Sequence, residues 1–358
     1  MKKIILYINS MKPAGGIERV VSTLANELCY NYQVCILVKD KGESFYPLNP
    51  KIEVISINSE VELNMNSRIS RAFSLLKNFF SSTLKLRNYL ASSSFDYIYV
   101  TTPLAFWESF FSGFCNSKII ASEHGARTNY NSVYNFLKKG YKFSAFYMVP
   151  TVDDYNYYLD KGYPVKYIPH LRPDLAYSKN QVSVKKILNI GRYTNDKQQL
   201  KLIHMWNELV KQRDAKDWVL VIVGSGELEN KMKMLISELK LDDLIELVPP
   251  QKNIEKIYLD ASLFVLSSSS EGFGMVVLEA LSFGLPVVSF DCPSGPKDII
   301  TNNKDGVLIE PDNFDELKNN LLSLMINKKN RQEMSDYGYE RMKHWNSENI
   351  MSKFEGML

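Results

Sequence analysis

Glu271-Gly272-Phe273-Gly274-Met275-Val276-Val277-Leu278-Glu279 decides how this chain is read. Two carboxylates stand eight residues apart, a glycine-bracketed turn follows the first, and an apolar run carries the second. Upstream, residues 262–266 (SLFVL) read as a buried strand and 267–270 (SSSS) as a small polar loop. Downstream, residues 275–283 read as a helix that stops at Gly284, with Pro286 just beyond. The glycines therefore fall where a strand hands over to a helix N-terminus. Bare N–H groups and the helix dipole make such a place a ready site for a phosphate or diphosphate. Glu271 falls at the rim of the loop and Glu279 about a turn into the helix, facing the same crevice. Carboxylates are poor phosphate ligands but good acceptors for sugar and ribose hydroxyls, so the combination points to a nucleotide-sugar pocket. A surface loop whose glutamates merely favour a helix dipole would show the same residues, and the segments around it have to decide.

Strand and helix patterns alternate on both sides of this stretch. In the first half, residues 3–8 read as an opening strand. A helix over 16–28 follows, with Ile17, Val20, Val21, Leu24, Ala25 and Leu28 at helical spacing. Further strands are expected at 34–38, 54–57, 97–101, 118–121, 146–149 and 165–168. In the second half they are expected at 187–190, 218–223, 245–248, 263–266, 287–290 and 307–309, each pair separated by one helix-like segment. Repeated βα units build a parallel sheet covered by helices on both faces. Residues 169–182 (PHLRPDLAYSKNQV) lack periodicity and carry two prolines, which marks a linker. The expected class is α/β, with two Rossmann-like, doubly wound parallel-sheet domains facing a cleft. They are placed at 1–170 on the acceptor side and 183–340 on the nucleotide-sugar side, and 341–358 is expected to pack back on the first. Ligands in such sheets bind at the carboxyl ends of the strands.

Composition allows this: 358 residues suffice for two cores, and 45% hydrophobic with 23% charged residues is ordinary for a soluble globular protein. A net charge of +3 is too small to indicate nucleic acid. The four cysteines form no Cys-x-x-Cys pair and no metal-ligand spacing with the four histidines. They read as reduced thiols of a cytoplasmic protein. No apolar run is long enough for a signal peptide or a membrane span.

Other loops carry chemistry. Gly191-Arg192-Tyr193-Thr194-Asn195-Asp196-Lys197 follows the first strand of the second domain. Arg192 can bind two oxygens of a diphosphate at once and Lys197 adds a point charge. A solvated basic loop is the competing account, and the expected position at the same sheet edge as Glu271 speaks against it. Gly224-Ser225-Gly226 follows the next strand. Glu229 stands where a dinucleotide fingerprint needs its third glycine, so a tight turn explains these glycines as well as ligand contact does. Gly15-Gly16 joins the first strand to the first helix, where a tight turn explains the glycines nearly as well as a close approach to a phosphate or acceptor sugar does. His124, in Ser122-Glu123-His124-Gly125, ends another strand and is a candidate to contact substrate. Asp-x-Asp, Gly-x-Ser-x-Gly, P-loop and His-Glu-x-x-His motifs are absent from the sequence, which disfavours hydrolases, P-loop enzymes and zinc enzymes.

GGIERVV at 15–21, SEHG at 122–125, GRYTNDK at 191–197, VGSGEL at 223–228 and EGFGMVVLEALSFGLPVV at 271–288 together resemble the retaining glycosyltransferases of family GT4, across nearly the whole chain and in order. The resemblance implies the GT-B fold and a nucleotide-diphosphate sugar bound without a metal, with no other cofactor. It implies that Arg192 and Lys197 hold the diphosphate, helped by the amides of Phe273, Gly274, Met275 and Val276. Glu279 would accept from ribose hydroxyls and Glu271 from the donor sugar, with Gly272 in the same loop. His124 would sit near the transferred sugar, and Gly15 and Gly16 near the diphosphate or the acceptor. On this reading His124, Glu271, Arg192 and Lys197 are the catalytic set, and Gly224 joins the donor-binding residues. The sequence departs at Gln198, where the family usually has glycine. The segment 292–298 (CPSGPKD) resembles a variant frequent among bacterial surface-polysaccharide transferases, of the capsule or lipopolysaccharide kind.

The expected function is transfer of a sugar, with retention, from a UDP-sugar rather than a GDP-sugar to a hydroxyl of a glycan or lipid-linked acceptor. The alternatives are a GT-B-fold nucleotide-sugar epimerase and a non-catalytic nucleotide-sugar-binding subunit. Double displacement would need a carboxylate under the anomeric carbon, and Glu271, the one candidate, is assigned to hydroxyl binding, which favours front-face substitution. Residues 67–89 mix Arg68, Arg71, Lys77, Lys85 and Arg87 with Phe73, Leu75, Leu76, Phe79 and Phe80, and 134–147 is a second basic-aromatic segment. Such a helix lies on an anionic membrane surface, peripheral to its inner face, unless its apolar side packs on the domain's own sheet.

Overall fold

The computed structural model describes residues 1–60, 68–92, 94–345 and 347–358, and of residues 68–73 the backbone only. Ser67, the side chains of Arg68, Arg71 and Phe73, and Asn346 thus lie outside the described residues. The chain divides into two compact units. One holds Met1–His124, Asn129–Leu171 and Ser347–Leu358, and the other holds Gly125–Thr128 and the chain from Arg172 up to Ser347.

The first unit alternates β1 (Lys3–Ile8), α1 (Gly16–Leu28), β2 (Gln33–Val38), β3 (Glu53–Ser56), α2 (Arg68–Ala91), β4 (Tyr97–Val100), α3 (Pro103–Phe111), β5 (Ile119–Ser122), α4 (Ser132–Lys138), β6 (Phe146–Val149), α5 (Val152–Asp160) and β7 (Val165–Tyr167). Its strands form one parallel seven-stranded sheet in the order β3-β2-β1-β4-β5-β6-β7. Strands covered on both faces are apolar throughout, and residues 4–8 of β1 are all buried. Ile5, Tyr7, Ile98, Val100, Phe106 and Tyr147 share one core with Leu86 of α2. On α2 the apolar residues divide: Leu86 packs inward, whereas Leu76, Phe80 and Leu84 stay exposed.

The second unit alternates β8 (Lys186–Ile190), α6 (Gln199–Leu209), β9 (Val219–Val223), α7 (Glu229–Glu238), β10 (Ile245–Val248), α8 (Glu255–Leu259), β11 (Leu263–Leu266), α9 (Met275–Ser282), β12 (Val287–Phe290), α10 (Pro296–Ile299), β13 (Gly306–Ile309), α11 (Phe314–Ile326) and α12 (Lys328–Lys343). Its six strands are parallel in the order β10-β9-β8-β11-β12-β13. Trp206, Trp218, Leu220, Ile222, Val265 and Phe290 centre its core. The closing helix α13 (Ser347–Glu355) belongs to the first unit, where Phe354 lies 6.5 Å from the Tyr99 ring and Asn31 donates to Glu355 at 2.9 Å.

The two α/β sheets are those expected, with strand ends shifted by about a residue. The expected linker is an extended, pinned segment. Asn180 is buried and donates to the carbonyls of Tyr258 and Ala261 at 2.7 and 2.8 Å, while its own N–H reaches Phe283 O at 3.0 Å. Aperiodic sequence here means backbone satisfied by side chains rather than a loose tether.

Candidate functional site

The strand order reverses between β8 and β11, because β9 and β10 run out on one side and β12 and β13 on the other. Connections therefore leave in opposite directions and open a crevice at the carboxyl ends of those two strands. The loops that border it are residues 191–198 after β8 and 267–274 after β11, so the basic and acidic motifs meet there.

They are joined atom by atom. Lys197 Nζ lies 2.7 Å from Glu271 Oε1, with side chains only 16% and 12% exposed. Ser268 Oγ donates to the same oxygen at 2.6 Å. Ser267 Oγ donates to the Lys197 carbonyl at 2.9 Å, and the Ser269 N–H to that of Asp196 at 2.8 Å. The serine run thus stitches one loop to the other. Gln199, fully buried, donates to the Arg192 carbonyl at 3.0 Å and sets the bend of the basic loop. The Arg192 guanidinium is exposed and makes no ion pair or hydrogen bond among the described residues.

Gln198, between these residues, adopts φ 56° and ψ 27°, the left-handed region that accounts for glycine at this place in the resembling family. Its amide reaches Asp312 at 2.7 Å. Gly274, at φ 94°, is the N-cap of α9, and no side-chain cap hydrogen bond closes that end among the described residues. Met275 and Val276 thus begin a helix whose positive end faces the Glu271 loop. Gly295 permits the tight stacking behind it: a Cβ there would lie 2.1 Å from the Phe273 carbonyl oxygen.

Glu279 is a turn further in and nearly buried, accepting from the Tyr258 hydroxyl at 2.9 Å. Any ribose hydroxyl would have to share that carboxylate with a phenol. Gly224 and Gly226 have a structural use of their own. A Cβ on Gly224 would sit 2.0 Å from Gly191 O, and one on Gly226 2.6 Å from Tyr193 O. These glycines let the loop after β9 pack flat against the basic loop. Burial pushes the Cys292 thiol upward, and the neighbouring Glu271 charge adds to this, so Cys292 stays protonated.

In the first unit Gly15 is the N-cap of α1 and Gly16 its first residue, with no atom of the described residues within 4 Å of a Cβ on Gly16. His124 follows β5, half-buried, its ring stacked on His170 at 5.6 Å and 12°. Tyr99 donates its proton to Ser122 at 2.6 Å, so its oxygen can accept from His124 Nε2 at 3.3 Å. That tautomer leaves Nδ1 as an acceptor, and Nδ1 has no partner among the described residues. Burial lowers the His124 pKa from its ordinary value of 6.5 to about 3, so the ring is neutral at physiological pH. Behind it, buried Glu123 binds Lys138 and accepts from Tyr130 at 2.7 Å and from Tyr147. Among the described residues no three His, Cys, Asp or Glu side chains gather as a metal site.

Reading the sequence alone missed Ser268, Gln199, Tyr258 and His170. The serines stood out only as a polar loop, His170 fell in the supposed linker, and Tyr258 belongs to no motif. A hydroxyl three residues before Glu271 was the one available signal.

Residues 176–341 match the family model described as "Glycosyl transferases group 1". The chain is 29% identical to an uncharacterized glycosyltransferase of Haemophilus influenzae over 100% of both chains. It is 26% identical, over 99% of this chain and 97% of the other, to a Campylobacter jejuni α-1,4-N-acetyl-D-galactosaminyltransferase whose name gives an undecaprenol-diphosphate-linked GalNAc oligosaccharide as acceptor. The crystal structure of a Staphylococcus aureus TarM mutant with fondaparinux, α-GlcNAc-glycerol and UDP superposes with a TM-score of 0.85. It covers 100% of this chain and 99% of that one at 16% identity, a likeness of fold. With a group 1 glycosyltransferase domain over residues 176–341 and two parallel-sheet Rossmann-like units, the chain is a glycosyltransferase of the GT-B fold.

Proposed function

We propose that the chain is a retaining, metal-independent hexosyltransferase of the GT4 kind. It moves a sugar from a UDP-sugar, in preference to a GDP-sugar, to a hydroxyl of a glycan or lipid-linked acceptor. The setting is surface-polysaccharide assembly, of the capsule or lipopolysaccharide kind, on the cytoplasmic side. The observation that carries this is the crevice between β8 and β11. There the loop that carries Arg192 and Lys197 is tied to Glu271 through the Lys197 ammonium, and the start of α9 follows the Glu271 loop. UDP in the TarM complex and the lipid-linked acceptor in the Campylobacter enzyme's name support the choice of donor and acceptor.

Arg192 takes two diphosphate oxygens, and Lys197 lends its ammonium to a third while it stays on Glu271. As the bond from the anomeric carbon to the diphosphate oxygen breaks, the electron pair passes to the diphosphate. The cations and the N–H groups of Gly274, Met275 and Val276 stabilise the charge that develops there. The acceptor oxygen bonds to the same face of the oxocarbenium-like carbon and gives its proton to the departing phosphate oxygen. Glu271, oriented by Ser268, accepts from donor-sugar hydroxyls, with Gly272 and Phe273 shaping the loop, and Glu279 accepts from the ribose. His124, neutral, accepts a sugar hydroxyl at Nδ1. Gly15 and Gly16 approach the diphosphate or the acceptor, and Gly224 supports the basic loop.

Incubation with labelled nucleotide sugars, with and without a polyprenyl-linked acceptor, tests the reading. Transfer that requires the acceptor is expected. Conversion of the donor sugar alone would indicate an epimerase, and no change with any donor a binding subunit.

A further inference from the structure

Three helices of the first unit form a surface whose chemistry nothing in the transfer reaction uses. Leu76, Phe80 and Leu84 lie four residues apart on α2, so they form one stripe, and each is more than half exposed. Phe79 touches Phe111 of α3 at 6.1 Å between ring centroids, and Phe111, itself more than half exposed, stacks on Trp107 at 5.5 Å. Trp107 donates to the Leu137 carbonyl of α4 at 2.9 Å, and Gly140 packs beneath the indole. From α4 onward Val133, Phe136 and Phe143 are again more than half exposed. The two basic-aromatic segments, far apart in sequence, thus become neighbours across α3.

Charge says what covers them. Exposed cations flank the apolar residues: Lys77, Lys85 and Arg87 on α2, Lys139 and Lys142 after α4. Between residues 68 and 150 the only acids are Asp96, Glu108 and Glu123. Glu108 and Glu123 are buried against Lys39 and Lys138, and Asp96 accepts the Lys3 N–H at 2.8 Å. The surface keeps its positive charge because its acids are turned inside. A protein partner or a second copy would need an acidic face of matching shape, whereas an anionic lipid surface takes apolar side chains and cations together.

We propose that the α2–α3–α4 face docks on an anionic phospholipid bilayer, with Phe80, Phe111 and Phe136 entering the headgroup region and the lysines on lipid phosphates. The proposal deepens the transferase reading, since it names the surface on which a lipid-linked acceptor is met. No helix among the described residues is long and apolar enough to cross a membrane, so the contact is one of lying on the surface.

Flotation of the full chain with phosphatidylcholine vesicles, and with vesicles containing phosphatidylglycerol, tests it. Binding only to the anionic vesicles, weakened by salt, is expected. Lys139→Glu and Lys77→Glu should each reduce it by about fivefold or more. Phe80→Ser and Phe136→Ser should reduce it even at low salt, with the thermal transition unchanged. Equal binding to both lipids, no binding at low salt, or variants that float like the parent would overturn the proposal. So would a dimer that Phe80→Ser converts to monomer. Donor consumption is measured separately with a water-soluble acceptor: a chain that floats but transfers nothing refutes the transferase reading, and one that transfers but never floats refutes this surface.

Discussion

Arg192 and Lys197 are both assigned to the diphosphate, yet the structure separates their contributions to the empty protein. The Arg192 head is exposed and without a partner among the described residues, so Arg192→Met should change the stability of the ligand-free protein by no more than about 0.5 kcal/mol. Lys197 is paired at 2.7 Å with a carboxylate that is 12% exposed. Lys197→Met leaves that carboxylate with Ser268 alone among these donors and should cost about 1–2 kcal/mol before any nucleotide is added. Each substitution should also remove about 2 kcal/mol of nucleotide affinity, roughly thirtyfold in Kd. UDP at about 100 times the parent's Kd stabilises the parent by about 2.7 kcal/mol. At the same concentration a thirtyfold weaker variant retains only about 0.9 kcal/mol. Urea unfolding with and without UDP reads both quantities on one sample. Destabilisation of empty Arg192→Met by more than about 1 kcal/mol, or an undiminished UDP shift, would refute the assignment of a free cation to the diphosphate.

Other perturbations read other parts of the site. Unfolded, His124 titrates near 6.5, and folded it is held to about 3, so the unfolded chain binds more protons in that window and stability falls as pH drops through it. From about pH 7.5 to about pH 5 this one ring costs about 2 kcal/mol, and His124→Gln should flatten the dependence by that amount in urea titrations. Gly224→Ala, whose Cβ would meet Gly191 O at 2.0 Å, should destabilise by about 2 kcal/mol or more. Gly16→Ala meets no atom of the described residues within 4 Å and should be neutral or slightly stabilising by calorimetry, while slowing transfer if a substrate approaches that backbone. Glu271→Gln should lower turnover strongly with no glycosyl adduct in intact-mass spectra, and an adduct on Glu271 of the parent would overturn front-face substitution. Turnover should be unchanged by EDTA.

The alternation of strand and helix was legible because buried parallel strands are short apolar runs and their helices repeat every three to four residues, both local signals. The Glu271–Glu279 stretch was legible for the same reason, since a strand, a glycine turn and a helix start lie within one window of sequence. Which loops would meet was not. Lys197 reaches Glu271 across 74 residues because β11 lies beside β8, and that strand order is decided by burial of whole sheets rather than by any window. The supposed linker shows the limit from the other side: residues 169–182 look structureless until His170 is seen stacked on His124 and Asn180 on the carbonyls of Tyr258 and Ala261. Sequence likewise showed two basic-aromatic segments, but only packing through α3 made them one face and turned Glu108 and Glu123 inward. Periodicity reports how a residue relates to its chain neighbours, whereas a site is made of contacts between distant residues, and those exist only once the core has closed.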